Sequence, residues 1–139
     1  MAIPPVQTSV SVRGATMLLV DDNAAYRDMT QLALSSLGYS VQPCSSPEAA
    51  LASAAESPDL ELLITDVVMS KMNGVELAAE IRRIRPQVKV LFCSGYPAAA
   101  LARQGLDLTP GEFLMKPVSL AALAAKLECL LSRDDTAST

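Results

Sequence analysis

The sequence of 139 residues contains no histidine and no tryptophan, and only 4% of its residues are aromatic. Without histidine, the chain has no Ser-His-Asp triad, no histidine-containing zinc site and no phosphohistidine of its own. Its formal net charge of −4 and its few aromatic residues provide neither a basic patch nor a stacking surface for nucleic acid. We therefore expect no nucleic-acid partner.

Long apolar segments are also missing. No apolar run reaches the ~20 residues of a membrane-spanning helix, and no charged segment leads into an apolar one near the start. The three cysteines lie in apolar stretches without metal-ligand spacing, which predicts buried, reduced thiols at Cys44, Cys93 and Cys129. Together these features predict a cytoplasmic protein that does not insert into a membrane.

The composition is that of a folded protein, since half of the residues are hydrophobic and 19% are charged. The length suits one domain with a substantial core. We predict a flexible N-terminal lead-in over residues 1–15, one folded domain over residues 16–131, and a flexible tail over residues 132–139.

Within the domain, short apolar runs alternate with helical patterns. The runs predict strands at 17–20, 39–43, 60–66, 88–93 and 112–115. A helical pattern follows each strand, and parallel strands joined by right-handed helical crossovers form a sheet that is covered on both faces. The predicted fold is therefore an α/β doubly wound parallel sheet, a three-layer sandwich.

Apolar spacing predicts which side of each helix faces the sheet. In the first helix the inward residues are predicted to be Tyr26, Met29, Ala33 and Leu37. In the last helix, the inward apolar stripe is predicted to begin at Leu120 and to continue to the end of the domain.

Chemically useful side chains follow four of the five predicted strands. They are three carboxylates, one hydroxyl and one ammonium: Asp21 and Asp22, Asp66, Ser94, and Lys116. Each alone has an ordinary explanation, because acids and hydroxyls cap helices and lysines are commonly solvated. Ligands of such sheets bind beyond the carboxyl ends of the strands, however, so this combination predicts one site.

The residue types at this site suit a divalent cation and phosphoryl transfer. Mg²⁺ prefers oxygen ligands and commonly binds one or two carboxylates together with a phosphate. A carboxylate can itself be the nucleophile, and Asp66 is the best candidate because it ends the most strongly apolar strand. Lys116 would neutralise phosphoryl oxygens, and Ser94 would donate a hydrogen bond to them. No glycine-rich nucleotide-binding motif is present.

Four segments of the chain resemble the receiver domain of two-component response regulators. They are "LLVDDN" (18–23), "LLITDVVMSKMNG" (62–74), "LFCSGY" (91–96) and "FLMKP" (113–117). The resemblance covers about residues 16–131 and is strongest to receivers attached to hybrid sensor histidine kinases. It implies a flavodoxin-like (βα)5 fold with strand order 2-1-3-4-5.

The resemblance also implies roles for individual residues. Asp66 would be the phosphoacceptor, paired with Lys116. Mg²⁺ would be bound by Asp21, Asp22, Asp66 and the backbone carbonyl of Val68.

A second set of implied roles concerns switching. Ser94 and Phe113 would be the switch residues, and the bond between Lys116 and Pro117 would be cis.

The implied function is that of a signalling receiver rather than of an enzyme with an external substrate. A histidine kinase or phosphotransfer protein would phosphorylate Asp66, and the surface of residues 98–131 would then change its preference for a downstream protein partner. Two alternatives are a Mg²⁺-dependent phosphatase with an Asp nucleophile and a docking module that works without phosphorylation. The length leaves no room for an output domain, so we expect a stand-alone regulator or a piece of a hybrid kinase.

Overall fold

A computed structural model describes residues 16–108 and 111–138, with side chains as far as residue 131. The predicted lead-in, residues 1–15, lies outside the described residues. The strands are β1 (Thr16–Val20), β2 (Ser40–Cys44), β3 (Leu60–Asp66), β4 (Lys89–Ser94) and β5 (Glu112–Met115). The helices are α1 (Ala24–Ser36), α2 (Pro47–Ala55), α3 (Gly74–Ile84), α4 (Ala98–Arg103) and α5 (Leu120–Ser138). The predicted alternation of strands and helices is confirmed.

The five strands form one parallel sheet in the order β2-β1-β3-β4-β5. Successive residues of a strand point to opposite faces, and β1 shows this clearly. Leu18 and Val20 pack in the core beneath α2, α3 and α4, whereas Met17 and Leu19 pack in the core beneath α1 and α5. The predicted three-layer sandwich and strand order are confirmed.

Side-chain caps start the helices close behind the strand ends. The Asn23 carboxamide oxygen accepts the Tyr26 N–H at 2.9 Å and begins α1. Asn73 and Glu76 form a capping box at the start of α3, in which each side chain accepts the other residue's backbone N–H. These caps fix how the loops at the carboxyl edge of the sheet leave β1 and approach α3.

The inward face of α1 matches the prediction at Ala33 and Leu37, which pack against the core beneath α1 and α5, and differs from it at Met29. Leu34 is fully buried, whereas Met29 is 60% exposed. Thr30, one residue after Met29, is half-buried, and its hydroxyl donates a hydrogen bond to the Tyr26 carbonyl at 2.9 Å. The stripe therefore runs through Thr30 and Leu34, and a polar residue within it hid this face from apolar spacing alone.

Two further predictions in the last helix are wrong. Leu120 is 50% exposed, because it is the first residue of α5 and lies at the rim of the helix–sheet contact. Cys44 and Cys93 are buried as predicted, but Cys129 is exposed. Cys129 follows the buried Leu127 by two residues, which is a rotation of about 200° around the helix axis. Its thiol therefore faces solvent.

The last helix ends later than its apolar pattern suggested. Helix α5 continues to Ser138, and the sequence "SRDDTAS" contains neither glycine nor proline to interrupt it. The boundary of the folded domain at residue 131 stays a prediction. Among the described residues, no helix is long and apolar enough to cross a membrane.

Candidate functional site

Three carboxylates meet at the carboxyl edge of the sheet. Adjacent strands β1 and β3 are in register at Val20 and Thr65, so the residues that follow these two, Asp21 and Asp66, are neighbours. With Asp22 they form a group in which one carboxylate oxygen of each residue lies within 4.8 Å of the others. Asp21 is buried, Asp66 is half-buried and Asp22 is exposed.

Lys116 reaches this group from the end of β5. Its Nζ donates a hydrogen bond to Asp21 Oδ2 at 2.8 Å and lies 3.5 Å from Asp66 Oδ2. Its backbone N–H donates to the Ser94 carbonyl at 2.7 Å, which fixes the chain as it leaves the sheet. The predicted cis bond between Lys116 and Pro117 is confirmed.

Burial and charge act against each other in this cluster. Burial raises the pKa of Asp66, and the nearby negative charge of Asp21 raises it further, although the positive charge of Lys116 opposes the rise. Burial alone would lower the pKa of Lys116, but the hydrogen bond and charge of Asp21, together with Asp66, leave it raised. Lys116 is therefore an ammonium, and the Asp66 carboxylate would be stabilised by further positive charge.

The donor set fits a hard divalent cation. Three carboxylates against one ammonium leave excess negative charge, and all the donors are oxygens, which Mg²⁺ prefers. The exposed Asp22 accepts the Ser70 N–H at 3.3 Å through one of its two carboxylate oxygens, Oδ2, and a carboxylate has about four acceptor positions in all. Val68, the predicted backbone ligand, follows Asp66 by two residues in the loop that leaves β3, and its role stays a prediction.

The two predicted switch residues lie on neighbouring strands. Ser94 ends β4 and is buried, and its hydroxyl accepts the Tyr96 N–H at 2.9 Å. Phe113 lies in β5 opposite Phe92 and is half-buried against the core beneath α2, α3 and α4. Their switching roles stay predictions.

Apolar spacing missed the part that α1 plays in this site. The Arg27 guanidinium donates to the Asp21 carbonyl at 2.7 Å and ties α1 to the end of β1. Lys116 Nζ lies 4.2 Å from the centre of the Tyr26 ring. The Tyr26 hydroxyl accepts the Val118 N–H at 2.9 Å. The sequence held one clue to this role, because a tyrosine on a buried stripe needs a polar partner for its hydroxyl.

Gly74 was also missed. It is the first residue of α3, and its N–H donates to the Val67 carbonyl at 2.8 Å. A Cβ atom at this position would lie 2.2 Å from the Asp66 carbonyl oxygen. Only glycine allows α3 to start this close to the backbone of Asp66.

A cavity of about 90 Å³ lies beneath the site, between the sheet and the helices α1 and α5. Its walls are mainly apolar, with Asp21, Asp66 and Lys116 at one end. The Cys93 thiol also lines it, and burial raises the pKa of that thiol to about 12. A neutral thiol of this kind is a structural group rather than a nucleophile.

Comparison with known proteins adds an independent observation. The sequence model described as "Response regulator receiver domain" matches residues 17–128. The chain is 38% identical over 122 residues to the sensor kinase CckA of Brucella abortus, covering 87% of this chain and 13% of that protein. It is 33% identical over 115 residues to the response regulator receiver protein CpdR of the same organism, covering 83% of this chain and 95% of that protein.

A solved structure agrees with these relatives. The receiver domain of the hybrid histidine kinase CckA superposes with a TM-score of 0.72 at 30% identity, covering 84% of this chain and 99% of that domain. The chain thus spans only 13% of the sensor kinase of Brucella abortus but 99% of the solved CckA receiver domain.

Proposed function

This chain belongs to the response regulator receiver domain family, and from that premise we propose that Asp66 accepts a phosphoryl group from a histidine kinase or a phosphotransfer protein. The observation that carries the proposal is the geometry around Asp66. Its carboxylate is half-buried, lies 3.5 Å from the Lys116 ammonium, and belongs to a group of three acids that fits a divalent cation.

In this proposal an Asp66 oxygen attacks the phosphorus of a phosphohistidine on the donor protein. A P–O bond forms, the P–N bond breaks, and the electron pair leaves with the imidazole. Lys116 stays beside Asp66 and offsets the negative charge of the phosphoryl oxygens. Mg²⁺ held by Asp21, Asp22, Asp66 and the Val68 carbonyl would supply further positive charge for those oxygens.

Phosphorylation would then shift the population between two conformations. The Ser94 hydroxyl, which accepts the Tyr96 N–H, would donate a hydrogen bond to a phosphoryl oxygen, and Phe113 would repack. The neighbouring helix α4 suits such a change, because it has six residues, no side-chain cap at its start and one buried residue, Leu101. The surface of residues 98–131 would thereby change its preference for a downstream protein partner.

The two alternatives have less support. A phosphatase with an Asp nucleophile would need an acid–base group near Asp66, and the residue two positions later is the apolar Val68. A docking module that works without phosphorylation would leave the close approach of Lys116 to Asp21 and Asp66 without a role.

One experiment separates these functions. The protein is incubated with Mg²⁺ and acetyl phosphate, a small phosphodonor, and its intact mass is then measured. We expect one phosphoryl adduct per chain in the wild type and in Asp59→Asn, an exposed acid next to the opposite end of β3. Asp66→Asn should take up none.

Other outcomes would contradict the proposal. A wild type without adduct would favour the docking module, and continuous release of phosphate would favour the phosphatase. An adduct that persists in Asp66→Asn would place the phosphoacceptor elsewhere.

A further inference from the structure

Tyr26 contacts the loop after β5 at two points, one on each side of Pro117. Its ring lies under the Lys116 ammonium, at 4.2 Å from Nζ to the ring centre. Its hydroxyl accepts the Val118 N–H at 2.9 Å. One side chain of α1 therefore holds both the charged head of Lys116 and the backbone that follows it.

We propose that Tyr26 is a positioning residue, which keeps the Lys116 ammonium between Asp21 and Asp66, where a phosphoryl group on Asp66 requires it. This inference rests on the proposed function, because it assigns to Tyr26 a part in phosphoryl uptake.

Helix α1 is well placed to act on this site. The Arg27 guanidinium donates to the Asp21 carbonyl at 2.7 Å, so the first turn of α1 is joined to the end of β1. Asp21 in turn accepts the Lys116 hydrogen bond at 2.8 Å. Tyr26 thus belongs to a rigid frame that also carries the acid nearest to Lys116.

The Lys116 side chain needs more than one partner to hold its ammonium in place. An ammonium on a flexible four-carbon stem has three donors and no preferred plane, so a single carboxylate does not fix its position. The face of an aromatic ring attracts a cation within about 6 Å and blocks its movement to that side. Because Nζ has Tyr26 on one side and two carboxylates as partners, the ring limits its movement away from them to that side.

The hydroxyl has a separate effect. By accepting the Val118 N–H, it couples the backbone after Pro117 to α1, so Lys116 is held at its head and through the chain that follows it. Phenylalanine at position 26 would keep the ring and lose this coupling. Leucine would lose both.

The main test measures the rate of phosphoryl uptake from acetyl phosphate at saturating Mg²⁺. We expect Tyr26→Leu to slow uptake roughly 3- to 30-fold, the range given by loss of an attraction of cation–π size. Tyr26→Phe should restore most of the rate. Leu32→Ala is the matched control, since Leu32 is exposed on the same helix and should leave the rate unchanged.

A second measurement separates positioning from general loosening of the structure. Tyr26 acts on Lys116 rather than on the acids, so Mg²⁺ affinity measured by calorimetry should not weaken in Tyr26→Leu. Hydrogen exchange at the Val118 amide should be faster in both variants, because both lack the hydroxyl. If Tyr26→Leu does not fold, Tyr26→Met replaces it, since methionine fills irregular space without a ring.

The outcomes keep this inference apart from the proposed function. A wild type that takes up no phosphoryl group refutes the proposed function itself. If the wild type is phosphorylated and Tyr26→Leu keeps its rate, the positioning role is wrong. Equal losses of uptake and Mg²⁺ affinity would likewise show that Tyr26 is merely structural. If Tyr26→Phe is as slow as Tyr26→Leu, the part assigned to the ring is wrong.

Discussion

Replacing Gly74 by alanine should damage both the stability of the domain and the placement of Asp66. The added Cβ atom would lie 2.2 Å from the Asp66 carbonyl oxygen and 3.1 Å from the Val67 Cα, and contacts below 3.0 Å are essentially absent from real structures. Both obstacles are backbone atoms, so no side chain can rotate away. The start of α3 and the end of β3 must separate by about 1 Å to relieve the contact.

The expected cost follows from these contacts. Overpacking of a buried site costs about 1–3 kcal/mol. Separation also strains the hydrogen bond from the Gly74 N–H to the Val67 carbonyl, now 2.8 Å long, which contributes about 1 kcal/mol. Alanine recovers at most about 1 kcal/mol through its helix propensity. We therefore expect Gly74→Ala to lower the free energy of unfolding by about 1–4 kcal/mol.

Urea unfolding followed by far-ultraviolet circular dichroism measures this difference. Gly95→Ala is the matched control, because a Cβ atom there meets nothing within 4 Å, and its stability should stay within about 0.5 kcal/mol of wild type. Phosphoryl uptake by Gly74→Ala should also fall, by up to about 100-fold for a displacement near 1 Å. A Gly74→Ala protein as stable and as active as wild type would refute the reasoning.

Three further predictions concern the site. Burial raises the pKa of Asp66 in the folded state, so this carboxyl favours folding below its unfolded-state pKa and loses that contribution as pH rises through its folded pKa. Without Mg²⁺, Asp66→Asn should therefore have a larger free energy of unfolding than wild type near pH 7. Urea titrations at several pH values should show this gain vanish in acid. Asp22→Ala should weaken Mg²⁺ binding and phosphoryl uptake while leaving the fold as stable or more stable, because it removes like-charge repulsion, and loss of folding would count against this. Val68 and Tyr96 are 44% and 55% exposed and are expected to flank the path of hydrolytic water, so replacing both by alanine should shorten the lifetime of the phosphoryl group, and an unchanged lifetime in a decay assay would contradict it.

Much of the fold followed from the sequence. Continuous apolar runs at regular spacing specify strands that are buried on both faces, and such strands require a parallel sheet with helical layers. The carboxyl ends of parallel strands meet at one edge whatever the details of packing. For that reason Asp21, Asp22, Asp66 and Lys116 could be assigned to one site before their distances were known.

The faces of the helices were harder to predict. Helix α1 carries apolar residues on more than one side, and spacing alone favoured Met29 over Leu34. Burial depends on which side meets the sheet, and that side includes the half-buried Thr30, whose hydroxyl donates to the Tyr26 carbonyl of the same helix. A polar residue can lie on a buried face when its side chain has a hydrogen-bond partner in the same helix. A search for regularly spaced apolar residues overlooks such a residue.

The sequence by itself determined the class of fold, the edge at which the site lies and the chemical groups that meet there, because these depend only on periodicity and on residue type at strand ends. Tertiary structure alone decided the contacts among those groups. Lys116 is 95 residues from Asp21 along the chain, yet it bonds Asp21 more closely than Asp66 and rests on the ring of Tyr26. Such contacts depend on how β1, α1 and the loop after β5 pack together, and no local pattern encodes a distance between distant segments.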